Sequence, residues 1–151
     1  MIVFAREALG ECLAEAQPLL ERHWKEIARN RDWIALAPDY EAYEAAERDG
    51  RLFIATARSN RRLVGYACAF HGPHPHYRFN RWAWSDVFWT DPDIRGPRVA
   101  VRLFMFYDAG LKAEGVDVSH ITIKNKHPAV ARVLERLGYV AIETGFSKNL
   151  R

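Results

Sequence analysis

Val87-Phe88-Trp89-Thr90-Asp91-Pro92-Asp93-Ile94-Arg95-Gly96-Pro97-Arg98-Val99-Ala100 runs from an apolar, aromatic strand through a breaker pair and straight into a helix. A strand that turns this abruptly into a helix leaves several backbone N–H groups unpaired and aimed at one point, where the helix dipole adds partial positive charge. Such a corner suits a phosphate. Arg95, Arg98 and Arg102 fall within two helical turns and add formal charge to it, although the same residues also fit an ordinary helix start with solvated arginines.

Outward from this corner the other elements follow. Arg81 to Thr90 reads as the aromatic strand, and His71-Gly72-Pro73-His74-Pro75-His76 before it reads as a breaker-dense loop. Arg51 to Ala57 and Arg62 to Phe70 are rich in β-branched, aromatic and small apolar residues. They flank the polar turn Arg58-Ser59-Asn60-Arg61, which predicts an antiparallel hairpin. Ile2 to Arg6 is a short strand. Leu9, Leu13, Ala16, Leu20, Trp24 and Ile27 then recur at steps of three and four, the stripe of an amphipathic helix that Pro18 bends or splits. Pro38-Asp39-Tyr40-Glu41 opens a second helix and Asp49-Gly50 closes it.

Downstream, Val99, Leu103, Phe106, Tyr107, Gly110 and Leu111 give the next helix its apolar face, and Gly115 is its left-handed stop. Ser119 to Ile123 is a strand. His127-Pro128 caps a helix whose Val130, Val133, Leu134 and Leu137 face inward before Gly138, and Val140 to Lys148 alternates as a last strand. The predicted order is β-α-α-β-β-β-α-β-α-β, an α+β chain with hairpins first and crossover helices later.

Composition narrows the class. With 151 residues, 49% hydrophobic and 27% charged, the chain matches an ordinary globular domain. Folding at this length buries about two-thirds of the surface, enough for a core without covalent staples. No repeat, low-complexity tract or Gly/Ser linker divides residues 1–151, so they read as a single domain. Cys12 and Cys68 are far apart among aliphatic neighbours, which fits a reducing cytoplasm better than a disulfide framework or a zinc site. The uncharged stretches fall short of the roughly 20 apolar residues of a membrane span, and the N-terminus lacks the basic-then-apolar order of a signal peptide. The net charge of +3 is compatible with a phosphate-bearing partner and does not choose between a nucleic acid and a nucleotide cofactor.

In its whole element order, and not in one motif alone, the sequence resembles the GNAT superfamily of N-acetyltransferases. That family's phosphate loop reads Q/R-x-x-G-x-G/A after a strand ending in a V-D-P-E-like turn. Arg95-Gly96-Pro97-Arg98-Val99-Ala100 overlays the loop and Thr90-Asp91-Pro92-Asp93 the turn. Arg98 stands at the family's middle glycine, and Pro97 has no N–H to donate. Ala129 to Tyr139, A-V-A-R-V-L-E-R-L-G-Y, overlays the family's A-x-x-L-Y-x-x-L-G-F ending, with Leu134 at the frequent catalytic tyrosine, and His127 aligns with the motif's asparagine.

The resemblance implies a mixed, mostly antiparallel central sheet flanked by helices, and transfer of acetyl from acetyl-CoA to a primary amine by direct attack in a ternary complex. Acetyl-CoA is then the co-substrate, held in a gap between splayed parallel strands. The backbone of Phe88, Trp89 and Thr90 would face the pantetheine and supply the oxyanion donor, and Arg95, Gly96, Arg98, Val99 and Ala100 would hold the diphosphate. Asn125 or His127 would bond the amide-rich arm.

For the base, Trp84-Ser85-Asp86-Val87-Phe88-Trp89 places a lone carboxylate in an otherwise apolar strand, where burial would raise its pKa. Asp86 reads either as that base or as a satisfied carboxylate bonding a neighbouring loop. His71, His74 and His76 lead into this strand, and an imidazole suits proton transfer near neutral pH. His76 and Tyr77 are the next catalytic candidates. Stiff prolines between the three histidines, with no cysteine or close carboxylate, argue against a metal. His23-Trp24-Lys25-Glu26, Tyr40 and Tyr43 resemble the family's acceptor region, in which Glu26 would hold an ammonium and Tyr43, His71 and His74 would line the acceptor. By alternation Trp82, Trp84 and Phe88 share one face of the strand and Trp89 takes the other, as packing or as a homodimer wall.

Two other readings stand beside the enzyme. Leu134, Arg98 and Pro97 motivate a non-catalytic module that binds a CoA ester or a protein. Tyr77-Arg78-Phe79-Asn80-Arg81-Trp82 interleaves arginine with aromatics as base-stacking surfaces do, but acidic residues are spread throughout and no nucleic-acid recognition motif accompanies it. The acceptor stays open among small amines, aminoglycosides, amino acids, protein N-termini and lysines.

Overall fold

A computed structural model describes residues 1–151, the Pro97 side chain excepted. The elements are β1 (Ile2–Arg6), α1 (Leu9–Ile27), α2 (Tyr40–Arg48), β2 (Leu52–Ser59), β3 (Arg62–His74), β4 (Tyr77–Thr90), α3 (Pro97–Ala113), β5 (Val118–His120) and α4 (Pro128–Arg136). They form one sheet in the order β1-β2-β3-β4-β5. The first three pairings are antiparallel and β4 with β5 is parallel. The mixed, mostly antiparallel sheet flanked by helices is thus the observed architecture. Among the described residues no helix is long and apolar enough to cross a membrane.

Each face of the sheet carries its own core. Phe53, Ala55, Ala67, Ala69 and Ala83 pack against Leu103, Phe104, Tyr107 and Leu111 of α3 and Leu134 of α4. The run of alanines lets α3 lie close to the sheet, and Gly110 completes the fit. A Cβ built there would stand 2.2 Å from the Phe53 ring, so only glycine fits without displacing a buried phenyl group. On the other face Ile54, Tyr66, Cys68 and Trp89 pack against Leu9, Cys12 and Leu19 of α1 and Ala46 of α2. The β2–β3 turn places Asn60 and Arg61 at φ 48° and 67°, the left-handed pair that matches the twist of a two-residue hairpin.

Four expectations are corrected. Helix α1 is not split at Pro18 but runs through it as one helix. Pro18 and Ala14 both lie on the exposed side, so the Ala14 carbonyl that loses its partner is open to water. The segment from His71 to His76 is not a loop. β3 runs to His74, and Gly72 and Pro73 pair with Trp82 and Arg81, because the stacked rings of His74, Tyr77, Trp82 and Trp84 zip the two strands beyond the breakers. Val140 to Lys148 forms no strand. Residues 140–151 carry no regular structure, and Val140 and Phe146 are 78% and 94% exposed. Alternation marks two faces but supplies no edge to pair with, and β5 is only three residues long.

The fourth correction concerns β4. Val87 pairs with Cys68 and Ser85 with Ala69, so Asp86 is the extra residue of a β-bulge. One extra residue inverts the alternation. Val87 and Trp89 therefore join the α1/α2 face, opposite Phe88, and Trp89 shares a face with Trp82 and Trp84 rather than opposing them.

Candidate active site

The bulge coincides with the place where the sheet opens. β5 pairs with β4 only from Trp82 to Trp84. Beyond that point the Thr122 N–H donates to the Ser85 hydroxyl at 3.1 Å instead of to a strand carbonyl. From Ser85 to Thr90 the β5 side of β4 has no ladder partner among the described residues, so alternate backbone N–H and C=O groups face the gap.

The gap is a cavity of about 770 Å³, between β4, the start of α3, the Thr122–Lys124 segment and α4. Its floor includes Val87, Phe88, Trp89 and Thr90, and its far end is the strand-to-helix corner. Asp91, 3% exposed, pins that corner. Its carboxylate accepts from Arg22 at 3.1 and 3.3 Å and from the Asp93 N–H at 3.1 Å, and its own N–H donates to the Val64 carbonyl at 2.8 Å. Burial pushes its pKa up, but the Asp93 N–H and the Arg22 and Arg62 guanidiniums together outweigh it and hold the carboxyl below its usual value. Gly96 caps α3, and a Cβ there would meet nothing within 4 Å, so the corner is open space. The Val99 and Ala100 N–H groups donate to the Gly96 carbonyl at 3.0 and 3.3 Å. Those of Gly96 and Arg98 have no partner among the described residues and remain the donors to offer.

The loop side chains take different places from those expected. Arg98 is exposed and does not line the cavity, and neither Val99 nor Asn125 does. Arg95 lines it but is already engaged. Its guanidinium makes a fork with both Glu26 oxygens, Nη2 to Oε2 at 3.0 Å, and its Nη2 also donates to the Thr90 carbonyl at 2.8 Å. Glu26 accepts from Trp89 Nε1 as well, at 3.0 Å. The Arg95 fork pulls the Glu26 carboxyl down to about 2. Glu26 thus straps α1 to the strand-to-helix corner, with its charge met by Arg95, and it faces the larger cavity.

Free positive charge comes from residues the sequence reading passed over. Lys124, Arg132 and Arg136 line the cavity, and none has a carboxylate partner among the described residues. Ala129, Arg132, Val133 and Arg136 form one face of α4 at the i, i+3, i+4, i+7 spacing, and that pattern was visible in the sequence. His127 also lines the cavity, with a buried Nε2 that has no partner among the described residues. Leu134 is buried in the core instead, so α4 brings no hydroxyl from that position.

Asp86 is exposed, not buried as its apolar strand neighbours suggest. The bulge turns its carboxylate toward α2, where the Tyr43 hydroxyl donates to it. Burial first, and then the Asp86 carboxylate, push the Tyr43 phenol far above its ordinary range, so it stays protonated as a donor. Asp86 and Val87 border both the larger cavity and a second one, of about 380 Å³, beneath α1, α2 and the segment joining them.

The histidine candidates lie elsewhere. His71 is buried on the α3 face, with Nε2 3.1 Å from Glu114 and Arg81 Nη2 3.2 Å from Nδ1. His74, His76 and Tyr77 sit at the tip of the β3–β4 hairpin and line neither cavity. The strand periodicity that carries the hairpin past its breakers also carries these side chains away from the bulge.

His23 is the buried titratable group beside the site. Its Nδ1 lies 3.0 Å from the Tyr66 hydroxyl, and burial lowers its pKa to about 4, with Glu26 opposing and Arg95 and Lys124 assisting. The unfolded chain takes up a proton near pH 6.5 that the folded chain refuses until about 4, so stability falls as pH falls through that window. The loss reaches about 3 kcal/mol by the lower end. His71, also lowered by burial, acts in the same direction. Urea unfolding of His23→Asn between pH 7 and 4.5 should show a slope smaller by one proton than the wild type; parallel curves would contradict the assignment.

A search of the curated proteins finds no match to this sequence. Among solved structures, a ribosomal-protein-alanine N-acetyltransferase from Brucella melitensis biovar Abortus 2308 superposes with a TM-score of 0.73 at 18% identity over 100% of both chains. An aminoglycoside acetyltransferase from an uncultured soil metagenomic sample, in complex with sisomicin, gives 0.77 at 11% identity, over 99% of this chain and 97% of that one. A protein described as a predicted acetyltransferase, from Clostridium acetobutylicum with acetyl-CoA, gives 0.69 at 12% identity over 99% and 97%. At such identities the likeness is one of fold. The sequence model of the Acetyltransferase (GNAT) family, however, matches residues 14–139, from α1 to the end of the α4 cap. The chain belongs to the GNAT family of acetyltransferases.

Proposed function

We propose that the protein moves acetyl from acetyl-CoA to a primary amine by direct attack in a ternary complex. The observation that carries this reading is the position of Asp86, bulged out of β4 where the strands part and where the two cavities meet. The residues present fit the cofactor. Open space above Gly96, unpaired N–H groups at the start of α3, the cationic face of α4 and the orphaned His127 Nε2 together suit phosphates and an amide-rich arm.

Bound there, acetyl-CoA supplies an acyl thioester. The free backbone N–H groups of β4 donate to the carbonyl oxygen as it gains charge. Asp86 attracts the ammonium, orients it with Tyr43, and passes one of its protons to solvent. As the N–C bond forms the C–S bond breaks, and a second proton ends on the departing sulfur. A thiol of pKa about 8.5 leaves without a dedicated acid near neutral pH, so Leu134 in place of a tyrosine is tolerable.

This reading takes residues 1–151 as a single catalytic domain in a reducing cytoplasm, where the free buried Cys12 and Cys68 are stable. Calorimetry with acetyl-CoA, followed by thiol release over an amine panel, tests it. Saturable binding and amine-dependent release support it. Binding without release from any amine would favour the non-catalytic module, and no binding at millimolar acetyl-CoA would reject both.

A further inference from the structure

The second cavity has a composition that selects its occupant. The geometry points to an acceptor site for a small primary monoamine with an apolar body, whose ammonium meets Asp86 and Tyr43 while its hydrocarbon fills the space under α1 and α2. This rests on the acetyltransferase reading above, which left the acceptor open.

Leu13, Leu20, Trp24, Ile34, Leu36 and Tyr43 contribute to walls that are almost wholly apolar, around about 380 Å³. Asp86 is the sole charged side chain among the lining residues. The protic groups beside it stay neutral, because burial drives the Cys12 thiol up to about 11 and raises the Cys68 thiol and the Tyr66 phenol as well. The roof is Ile34-Ala35-Leu36-Ala37-Pro38, a connecting segment without a single polar side chain, in which Ile34 and Leu36 are 43% and 37% exposed. Connecting segments are ordinarily polar, and one that keeps its aliphatic groups over an apolar cleft gains from an apolar ligand beneath it.

The charge count excludes other acceptors. A polyamine or aminoglycoside would bury further ammonium groups with no carboxylate to meet them, and an amino acid would bring a carboxylate to a wall with no cation. One negative group at the mouth and hydrocarbon behind it complement one positive charge on an apolar stem.

A homologous series tests this with the full-length protein. Propylamine, butylamine, pentylamine and hexylamine should bind, by calorimetry in the presence of CoA, with affinity rising about fourfold per methylene. The kcat/KM for thiol release should rise in parallel. Hexane-1,6-diamine, equal in reach to hexylamine but doubly charged, should be at least tenfold worse. Leu36→Glu, in the exposed roof where folding tolerates it, should reverse that preference. A flat series, a diamine equal to hexylamine in the wild type, or turnover confined to aminoglycosides or amino acids would overturn the assignment. Failure of the acetyltransferase reading looks different: no acetyl-CoA binding and no thiol release with any amine, while the methylene dependence of amine binding persists if the cavity is assigned correctly.

Discussion

Asp86→Asn is expected to lower kcat/KM for the amine by about 10²–10⁴, the range over which a positioned acid or base contributes, while the Kd for acetyl-CoA stays within twofold. Asparagine preserves the size of the bulged side chain, and its carbonyl oxygen still accepts from Tyr43. What it loses is the negative charge that draws in an ammonium and the basic oxygen that receives its proton. The two losses separate by pH. With Asp86 gone the variant depends on amine already deprotonated in solution, so its kcat/KM should climb tenfold per pH unit toward the pKa of the amine, and its deficit against the wild type should shrink. Steady-state kinetics from pH 6.5 to 9.5, with unfolding curves to confirm an intact fold, measure this. A variant within tenfold of wild type at pH 7 would remove Asp86 from the chemistry.

Asp86 also shows why the sequence is only partly legible. An aspartate stands out in an aromatic strand, but the reason it stands there is the bulge, and a period-two reading has no symbol for an inserted residue. Every parity assignment beyond Asp86 therefore inverted, Phe88 and Trp89 included. Local breakers misled in the same way at Gly72 and Pro73, where cross-strand stacking of His74 with Trp82 outweighs local preference. Glu26 shows a different limit. Its partner Arg95 lies 69 residues away, and no local pattern distinguishes a carboxylate about to be paired from one left free for a ligand. The strand-turn-helix corner, by contrast, is legible because it is set by where the strand breaks and the helix starts and not by which long side chains surround it.

The same distinction governs how phosphates would be held on the proposed reading. The expected arginines sit on the loop, yet Arg95 is tied to Glu26 and Arg98 points out of the cavity, whereas Arg132 and Arg136 line it from α4. Replacing both α4 arginines by alanine should raise the Kd for acetyl-CoA about 10²-fold, since a hydrogen bond to a charged group contributes roughly 1.5–3 kcal/mol and solvent screening of these exposed side chains favours the lower end. Arg98→Ala should change Kd by less than about threefold, as expected for a screened charge outside the cavity. Calorimetry in low and moderate salt separates the two kinds of arginine. Contacts to phosphate make binding salt-dependent, so the double variant should have a shallower salt slope than the wild type, while Arg98→Ala should keep the wild-type slope. The opposite ranking, with Arg98 dominant, would mean that the loop refolds around the cofactor and that α4 only borders the cavity. Equal and small effects from both would leave the backbone donors at Gly96 and Arg98 as the anion site, and Gly96→Pro, which deletes one of those N–H groups, would then carry the large loss.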